Sequence, residues 1–402
     1  VHPFPARMAP GIALAAISSR RGRMRILDPM MGSGTVLALA RSKGHIASGL
    51  DIDPLAVLIG QVWTTPIDKD AIRNKAAKIL VEAKGNFRCL SLKEAYPYRA
   101  DSETCKFVRY WFDDYARRQL ASLAIEIRRC RNKNTRNALW CAFSRLIITK
   151  QAGASRALDL SHSRPHRYFN TAPTKPFGAF LASVEFVLSN CLSITDRTRG
   201  PATNIRLGDA RKLHIRSNTI DLVLTSPPYL NAIDYMRCSK FSLIWMGRTV
   251  EDIRSVRKKS IGTEVGQYDA SLSEPAETLI KSLNLNSRMS NRHKALVRRF
   301  IEDMSGVIRE TARVLKPRGK AIFVVGENTV KGTYIKNSKI ISKIAAQVGL
   351  ELKKTATRTL PPNRRYLPPP LRRKRRKALN VRMRREVVLT FLKSKRDRRR
   401  SA

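Results

Sequence analysis

An apolar run that ends in two consecutive prolines limits the folds open to this chain. The run, Ile220–Leu224, reads IDLVL, and such a nearly continuous apolar segment is typical of a strand buried on both faces of a sheet. Proline cannot donate a hydrogen bond to a neighbouring strand, so the chain must leave the sheet at Pro227 and Pro228. A serine, Ser226, and an aromatic ring, Tyr229, are therefore held on a stiff turn at the rim of the sheet.

Other segments of the chain show the same pattern of an apolar strand followed by a turn, with helical periodicity between several of them. Strands that alternate with helices predict an α/β fold with a doubly wound, mostly parallel sheet. Two later segments, ELKKTATRTL and EVVLTFL, predict an antiparallel hairpin at the edge of that sheet. The strand-and-turn segments are RMRILDPMMGSGTVLALA, HIASGLDIDPLAV, NIRLGDARKL and LKPRGKAIFVVGEN.

The predicted strands form one domain in two parts, with a long helical insertion between them. The segment from Pro66 to Pro201 is too long for an ordinary strand connection, and DAIRNKAAKILVEAKG and NALWCAFSRLIITKQ within it have helical apolar patterns. We expect a first domain part at 1–65 and an inserted helical subdomain at 66–201, which has a candidate role in target recognition. The second domain part then covers 202–393 and includes a basic loop at 361–385, and a basic tail follows at 394–402.

The chain carries 78 lysine and arginine residues against 31 acidic residues, a formal net charge of +47. So many like charges repel each other in a compact fold, which a solvated basic surface would leave unexplained. The excess therefore favours a polyanionic partner, usually nucleic acid. The apolar run near the beginning, Gly11–Ile17, is too short to span a bilayer, and no cleavage site follows it. We therefore predict a cytoplasmic protein that binds nucleic acid and not a membrane.

A glycine turn and two acids mark a candidate ligand site at the ends of the predicted strands. Gly32 and Gly34 lie where the backbone must turn tightly and approach a ligand, but their spacing is not that of dinucleotide-binding or phosphate-binding loops. Asp51 ends the second strand, where it can accept hydrogen bonds from ribose hydroxyls, and Asp209 follows the third, where it can accept from an adenine amino group. Each acid alone is more typical of a surface turn or a helix cap. Together they favour a nucleoside-bearing cofactor without a pyrophosphate.

DPMMGSGT at 28–35, followed by TSPPY at 225–229, resembles the S-adenosylmethionine-dependent amino-methyltransferases, the N4-cytosine and N6-adenine DNA methylases. The cofactor loop of that family reads DPF-x-GSGT and its catalytic motif (S/N/D)PP(Y/F/W), so Met30 replaces the commonest phenylalanine. The N-terminal segment VHPFPARMAPGIALAAI is similar to the segment that precedes the loop in members whose cofactor region comes first. The resemblance covers Val1 to about Val57 and about Asn204 to Gly326.

The resemblance implies a Rossmann-like class I methyltransferase fold with a mostly parallel, seven-stranded, doubly wound sheet, an antiparallel edge hairpin and a helical insertion. It implies a site-specific DNA methyltransferase of the restriction–modification kind that uses S-adenosyl-L-methionine and methylates N4 of cytosine, or otherwise N6 of adenine. The implied cofactor-binding residues are Asp28, Pro29, Gly32, Gly34, Thr35, Asp51 and Asp209, and the implied catalytic residues are Ser226, Pro227, Pro228 and Tyr229.

The chemistry of that reaction explains why a serine and a ring follow the strand. An exocyclic amine is a poor nucleophile because its lone pair is delocalised into the base. Acceptors aimed at its N–H bonds, namely Ser226 Oγ and the Pro227 carbonyl, favour a pyramidal nitrogen that can attack the methyl group in line. The ring of Tyr229 offers a face on which a base extruded from the duplex can stack. The alternative is a plain proline turn with a buried tyrosine.

Two basic segments are candidates for contact with nucleic acid, although each also suits a solvated polar loop. The first, DLSHSRPHRYF, combines two arginines with a tyrosine, and the second, within 361–385, contains RRKRRK. His162 and His166 are four residues apart, but Pro165 interrupts a helix and no third ligand is evident, so we predict no metal site. The candidate contact residues are Arg164, Arg167, Arg364, Arg365, Arg372, Arg373, Arg375 and Arg376.

Two other functions are open from the sequence. An RNA methyltransferase acting on the N2 amine of guanine, in tRNA or rRNA, uses the same fold and related motifs, and a basic surface suits it equally. A nucleic-acid-binding relative that keeps the fold without catalysis is the second alternative, and the intact GSGT and SPPY motifs argue against it.

Overall fold

The computed structural model describes residues 2–4, 8–18, 22–150, 152–158, 160, 165–195, 200–230, 236–263, 278–281, 291–330, 333–360 and 385–395. Within these ranges no helix is both long enough and apolar enough to cross a membrane. The strands are β1 Arg25–Asp28, β2 Ile46–Asp51, β3 Asn204–Leu207, β4 Ile220–Thr225, β5 Leu315–Gly326, β6 Asn328–Val330, β7 Thr333–Ile335, β8 Leu350–Thr359 and β9 Arg385–Lys393. The helices are α1 Pro10–Ile17, α2 Thr35–Ser42, α3 Pro54–Thr64, α4 Lys69–Cys89, α5 Ser102–Trp111, α6 Asp114–Arg129, α7 Lys133–Ile147, α8 Pro176–Ser189, α9 Met236–Leu243, α10 Val250–Lys259, α11 Asn291–Val314 and α12 Asn337–Gln347.

Seven strands form one sheet in the order β3-β2-β1-β4-β5-β9-β8, and β6 pairs separately with β7. Strands β1 to β5 are parallel, and Leu27 in β1 lies opposite Ser48 of β2 on one side and Val223 of β4 on the other. Strand β9 runs antiparallel to both β5 and β8. The predicted α/β fold, a mostly parallel and doubly wound sheet with an antiparallel edge hairpin, is confirmed.

The parallel strands are buried on both faces because successive residues contact different helical layers. In β4, Leu222 and Leu224 belong to an apolar cluster with residues of α1 and α2, whereas Val223 belongs to a cluster with residues of α11 and α12. All three side chains are at most 3% exposed. The nearly continuous apolar run in the sequence follows from this arrangement, since neither face of the strand meets water.

Helices α4 to α8 occupy the predicted insertion between α3 and β3. The apolar faces of these helices form one cluster with residues of α3 and α9, in which Phe112, Phe143 and Trp245 are fully buried. The inserted helices therefore pack against two helices that flank the parallel strands. Four of them begin at a side chain that accepts a hydrogen bond from a first-turn amide, namely Asp68, Asp101, Asp113 and Asn132.

The edge hairpin brings the beginning of β9 to the end of the parallel strands. Glu386 in β9 lies opposite Gly326, the last residue of β5. Of the predicted basic loop at 361–385, only its last residue, Arg385, is described. Arg385 pairs with Thr359, the last residue of β8, at this edge of the sheet. The sequence did not predict the β6–β7 hairpin, because strands of three residues carry too little apolar pattern to be recognised.

Candidate active site

The ends of β1 and β4 meet where the order of the parallel strands reverses, which is where doubly wound sheets bind their ligands. Thr225, the last residue of β4, donates from Oγ1 to Oδ1 of Asp28, the last residue of β1, at 2.7 Å. Thr225 is fully buried and Asp28 is 2% exposed. This hydrogen bond joins the beginning of the predicted catalytic turn to the beginning of the predicted cofactor loop.

The hydroxyl of Ser226 is held by the strand on the other side of β4. It donates to the main-chain carbonyl of Val324 in β5 at 3.1 Å, and the residue is half-buried. A serine hydroxyl has one proton to donate and two lone pairs with which to accept. Because Val324 takes the proton, the hydroxyl offers a ligand its lone pairs. This is the orientation that the predicted acceptor role of Ser226 needs.

The rest of the predicted catalytic turn is well covered. Pro227 is buried, Pro228 is half-buried, and the ring of Tyr229 is only 8% exposed. The Tyr229 hydroxyl donates to Oε1 of Glu386 at 3.3 Å. A base can stack on this ring only after the face of the ring has been uncovered. The predicted stacking role of Tyr229 therefore stays a prediction that requires movement of the ring.

The predicted cofactor loop turns between β1 and α2. Gly32 and Gly34 have positive φ angles of 51° and 81°, a conformation that residues with a Cβ atom disfavour. A Cβ atom at Gly34 would also lie 3.1 Å from Cα of Gly60 in α3. Gly34 is therefore required by a close approach within the protein, in addition to the tight turn that the sequence predicted. Pro29 and Thr35, near the two ends of the loop, are both buried.

Polar groups of this loop are left for a ligand to satisfy. Ser33 is 3% exposed, and its hydroxyl has no hydrogen-bond partner in the described part of the chain. The N-cap residue of α2, Gly34, provides no side-chain hydrogen bond to the first turn of the helix. A buried hydroxyl without a partner costs free energy, and the amino end of a helix attracts negative charge. The loop therefore suits a polar ligand with an anionic group.

A chain of hydrogen bonds leads from α9 to the cofactor loop through the end of β2. The Ser239 hydroxyl donates to Oδ2 of Asp53 at 2.5 Å, and Asp53 caps α3 by accepting from the Leu55 amide. The Asp53 amide donates to Oδ1 of Asp51 at 2.9 Å. The Gly32 amide donates to Oδ2 of Asp51 at 2.8 Å. Asp51, the predicted ribose-binding residue, is therefore fixed by backbone amides on both carboxylate oxygens.

Three acids are crowded together at the ends of β1 and β2. Burial raises the pKa of Asp28 to about 7, although hydrogen bonds from Thr225 and Met30 lower it. Burial and the nearby charge of Asp51 raise the pKa of Asp53 to about 7, and burial also raises the pKa of Asp51. Such a site favours a positively charged ligand. Within the described ranges, no group of His, Cys, Asp or Glu side chains could hold a metal ion.

The carboxylate of Asp209, two residues beyond β3, is bound by a neighbouring arginine. Its Oδ1 accepts from the Arg211 amide at 2.9 Å, and its Oδ2 accepts from Arg211 Nη2 at 2.6 Å. Arg211 also bonds to the Asp303 carboxylate and donates to the Lys259 carbonyl. Burial raises the pKa of Asp209, but the bonds from Arg211 outweigh burial and hold the pKa below its usual value. The predicted contact of Asp209 with adenine stays a prediction and would share these oxygens with Arg211.

Of the residues predicted to contact nucleic acid, one lies in the described part of the chain. Arg167 is described, and its exposed guanidinium carbon lies 5.3 Å from the centre of the Tyr110 ring. The others, Arg164, Arg364, Arg365, Arg372, Arg373, Arg375 and Arg376, lie outside the described residues.

Sequence reasoning missed several residues that hold the site together. Asp53 precedes a proline that begins α3, and this common helix-start pattern could have identified the cap. Ser239, Val324 and Glu386 have no local pattern that pairs them with Asp53, Ser226 and Tyr229 respectively. Each of these contacts joins residues about a hundred or more positions apart.

No protein-family model matches this chain. The chain is similar to the Type II methyltransferase M.MvaI of Kocuria varians, with 24% identity over 384 residues that cover 85% of this chain and 80% of that protein. It is also similar to the Type II methyltransferase M.AvaI of Nostoc sp., with 25% identity over 374 residues that cover 82% of this chain and 74% of that protein.

Two solved structures of S-adenosylmethionine-dependent methyltransferases are also similar to this chain. A TehB-like protein from Corynebacterium glutamicum has a TM-score of 0.31 and 9% identity, covering 96% of this chain and 89% of its own. A protein from Methanosarcina mazei has a TM-score of 0.34 and 9% identity, covering 97% and 99%.

We predict that Gly34→Ala destabilises the protein more than Gly44→Ala does. Both glycines have a similar positive φ, 81° and 79°, so alanine is strained at each. An added Cβ atom meets Gly60 Cα at 3.1 Å at position 34 and nothing within 4 Å at position 44. The melting temperatures of the two variants measure the difference. Equal losses would mean that the α2–α3 approach at Gly60 is not tight.

Proposed function

We propose that this protein transfers the methyl group of S-adenosylmethionine to an exocyclic amino group of a base in DNA, with N4 of cytosine as the first candidate and N6 of adenine as the second. The similarity to two Type II methyltransferases supports methyl transfer, since it extends over more than four-fifths of this chain. The net charge of +47 supports a nucleic-acid substrate. Cytosine N4 comes first because serine, Ser226, occupies the first position of the SPPY motif.

The observation that carries the proposal is the orientation of the Ser226 hydroxyl. Its proton is donated to the Val324 carbonyl, so its oxygen can accept a hydrogen bond from an incoming amine. The Pro227 carbonyl lies on the same stiff turn and is the second proposed acceptor. Two acceptors directed at the two N–H bonds draw the amine lone pair out of conjugation and make the nitrogen more nucleophilic. The role of Pro227 and Pro228 is then to hold these acceptors in place.

The residues around the cofactor loop fit S-adenosylmethionine. This cofactor supplies a methyl group on a positively charged sulfur. The crowded carboxylates of Asp28 and Asp51 would attract its positive charges, and Asp51 would also accept from the ribose. The Ser33 hydroxyl has no hydrogen-bond partner among the described residues, and this hydroxyl and the amino end of α2 suit the cofactor's carboxylate. Pro29, Gly32, Gly34 and Thr35 would shape the loop around it, and Asp209 would face its adenine.

The substrate base must be extruded from the duplex before it can reach Ser226. We propose that Tyr229 leaves Glu386 and turns its ring towards the extruded base. The basic segment within 361–385 would hold the DNA backbone, since the strands on either side of it end beside Glu386. The inserted helices would then contribute most of the sequence recognition. A guanine-N2 methyltransferase of RNA is the alternative, and the same basic surface would serve it.

The Ser226→Ala variant tests the proposed catalytic role. We expect its affinity for S-adenosylmethionine to equal that of the wild type, because Ser226 acts on the amine and not on the cofactor. We expect its single-turnover rate to fall by roughly one to three orders of magnitude, as for other lost transition-state hydrogen bonds. Ser226→Asn, which restores an acceptor oxygen, should recover part of that rate. Methylation by the alanine variant at the wild-type rate would remove Ser226 from the mechanism.

Cofactor binding should release protons near neutral pH. The pKa values of Asp28 and Asp53 are raised to about 7, so both acids are partly protonated there in the free protein. A bound cation favours the carboxylate forms, so affinity should increase as pH increases towards 7 and become constant above it. Calorimetry at pH 7 in buffers with different ionisation enthalpies measures the protons released. Heats that do not depend on the buffer would contradict this account, and Asp28→Asn should reduce the number released.

Two serines of α9 provide a matched test of the hydrogen-bond chain to Asp51. Ser239 is 1% exposed and donates to Asp53, whereas Ser242 is fully buried and accepts from Ser144 of the insertion. We expect Ser239→Ala to weaken S-adenosylmethionine binding, because Asp53 and then Asp51 lose their fixed positions. Ser242→Ala should lower the melting temperature by a similar amount and leave cofactor affinity unchanged. Equal cofactor affinities in the two variants would show that Ser239 has only a structural role.

A further inference from the structure

An arginine and two tyrosines are exposed on the insertion, where Tyr110 lies in α5 and Arg167 and Tyr168 lie in the non-helical chain before α8. The Arg167 guanidinium lies over the ring of Tyr110 in α5, which is 50% exposed. Tyr168, the next residue along the chain, is 70% exposed. Single exposed aromatic side chains are ordinary on protein surfaces. Here, however, Arg167 stacks on one of them and the other follows Arg167 directly in the chain, and we call Tyr110, Arg167 and Tyr168 the arginine–tyrosine cluster.

Arg156, which is half-buried, links the two backbone segments that carry the cluster. The Arg156 guanidinium donates to the carbonyls of Arg109 and Tyr110 in α5, at 3.2 and 3.4 Å. The Arg156 carbonyl accepts from the amides of Tyr168 and Phe169, at 2.9 and 3.1 Å. Arg156 therefore ties both segments of the cluster together. Exposed side chains on such a fixed backbone lose little entropy when they bind a partner.

The cluster lies close to the helix that follows the predicted catalytic turn. Trp111, next to Tyr110, packs against Phe241 of α9 with ring centres 4.9 Å apart. The thiol of Cys238, also in α9, donates to the carbonyl of Leu160, which precedes the cluster's second segment. Helix α9, whose first residue, Met236, is seven positions after Tyr229, therefore contacts the residue after Tyr110 and the chain seven residues before Arg167.

The charges around the cluster favour a polyanion. Lys106 and Arg109 are exposed on α5 beside Tyr110, and His166 is exposed beside Arg167. None of the residues 106, 109, 110 and 166–168 is acidic. A guanidinium stacked on a ring keeps its N–H groups free at the edge, where phosphate or guanine can accept them. An exposed tyrosine ring offers a base a stacking face.

We propose that the arginine–tyrosine cluster contacts the DNA beside the methylated base, with Tyr168 stacking on a base and Arg167 donating to the edge of a neighbouring base. This inference rests on the proposed function, because it takes the polyanion to be the DNA substrate. It also assigns a specific surface of the insertion to target recognition. The sequence pointed to Arg167 as a contact, but it gave no sign of Tyr110, which is 57 positions away.

Binding of a fluorescently labelled DNA duplex to full-length variants tests the proposal. We expect Tyr168→Ala and Arg167→Ala each to weaken binding roughly tenfold, in the range of a lost aromatic stack. Arg167→Lys keeps the charge but not the planar stack, so it should not restore the wild-type affinity. The control is Phe186→Ala, which removes another exposed aromatic ring with an arginine over it, Arg145 at 3.7 Å, from α8. It should bind DNA as the wild type does.

Four outcomes would overturn the proposal. The first is unchanged affinity in Tyr168→Ala and Arg167→Ala, and the second is an equal loss in Phe186→Ala. The third is full rescue by Arg167→Lys, which would reduce the contact to phosphate neutralisation. The fourth is a wild-type dimer that Tyr168→Ala dissociates without any change in DNA affinity, which would make the cluster a protein interface. Because binding is measured without methyl transfer, a protein that binds DNA through the cluster but never methylates it would refute the proposed function and leave this surface standing.

Discussion

The hydrogen bond between Thr225 and Asp28 is the contact on which the rest of the candidate site depends. It joins the ends of β1 and β4 at 2.7 Å, in a position that water does not reach. Without it the buried carboxylate of Asp28 would lose a hydrogen-bond partner, at a cost of about 1 to 3 kcal/mol. Strand β1 leads into the predicted cofactor loop and β4 leads into the predicted catalytic turn, so this bond, together with the pairing of the two strands, holds the loop and the turn near each other. Methyl transfer in line requires the distance between them to be held closely.

The predicted catalytic turn is also held from its other side, where Ser226 donates to Val324 of β5. Strands β1 and β5 therefore fix one short turn between them. The Ser226 hydroxyl on this turn offers lone pairs, and not a proton, to a ligand. On the cofactor side, the fold keeps Asp28, Asp51 and Asp53 together despite the raised pKa values that burial causes. Buried acids with raised pKa values are typical of functional sites, here one that would bind a positively charged group. The electrostatic design of the free protein thus favours a cationic methyl donor.

Much of this architecture could be predicted from the sequence, because its signals are local. The run IDLVL, the glycines at 32 and 34, and the prolines at 227 and 228 each dictate the backbone that they form. The start of α2 at Thr35 and the β8–β9 hairpin follow from similar patterns. The partners of the site residues could not be predicted. Glu386 meets Tyr229, and Ser239 meets Asp53, only because the sheet topology brings distant segments together. The sequence left open whether Tyr229 presents its ring to a base or is buried, and the packing of distant segments buries it.

Transfer of labelled methyl groups from S-adenosylmethionine to DNA and to tRNA in parallel, followed by nucleoside analysis, tests the central claim most directly. The proposed function predicts label in DNA, on an exocyclic amino group, with N4-methyldeoxycytidine as the expected product. Label on N6 of deoxyadenosine would keep the mechanism and change the target base. Label confined to N2 of guanosine in tRNA, or label on a ring carbon of any base, would contradict the account.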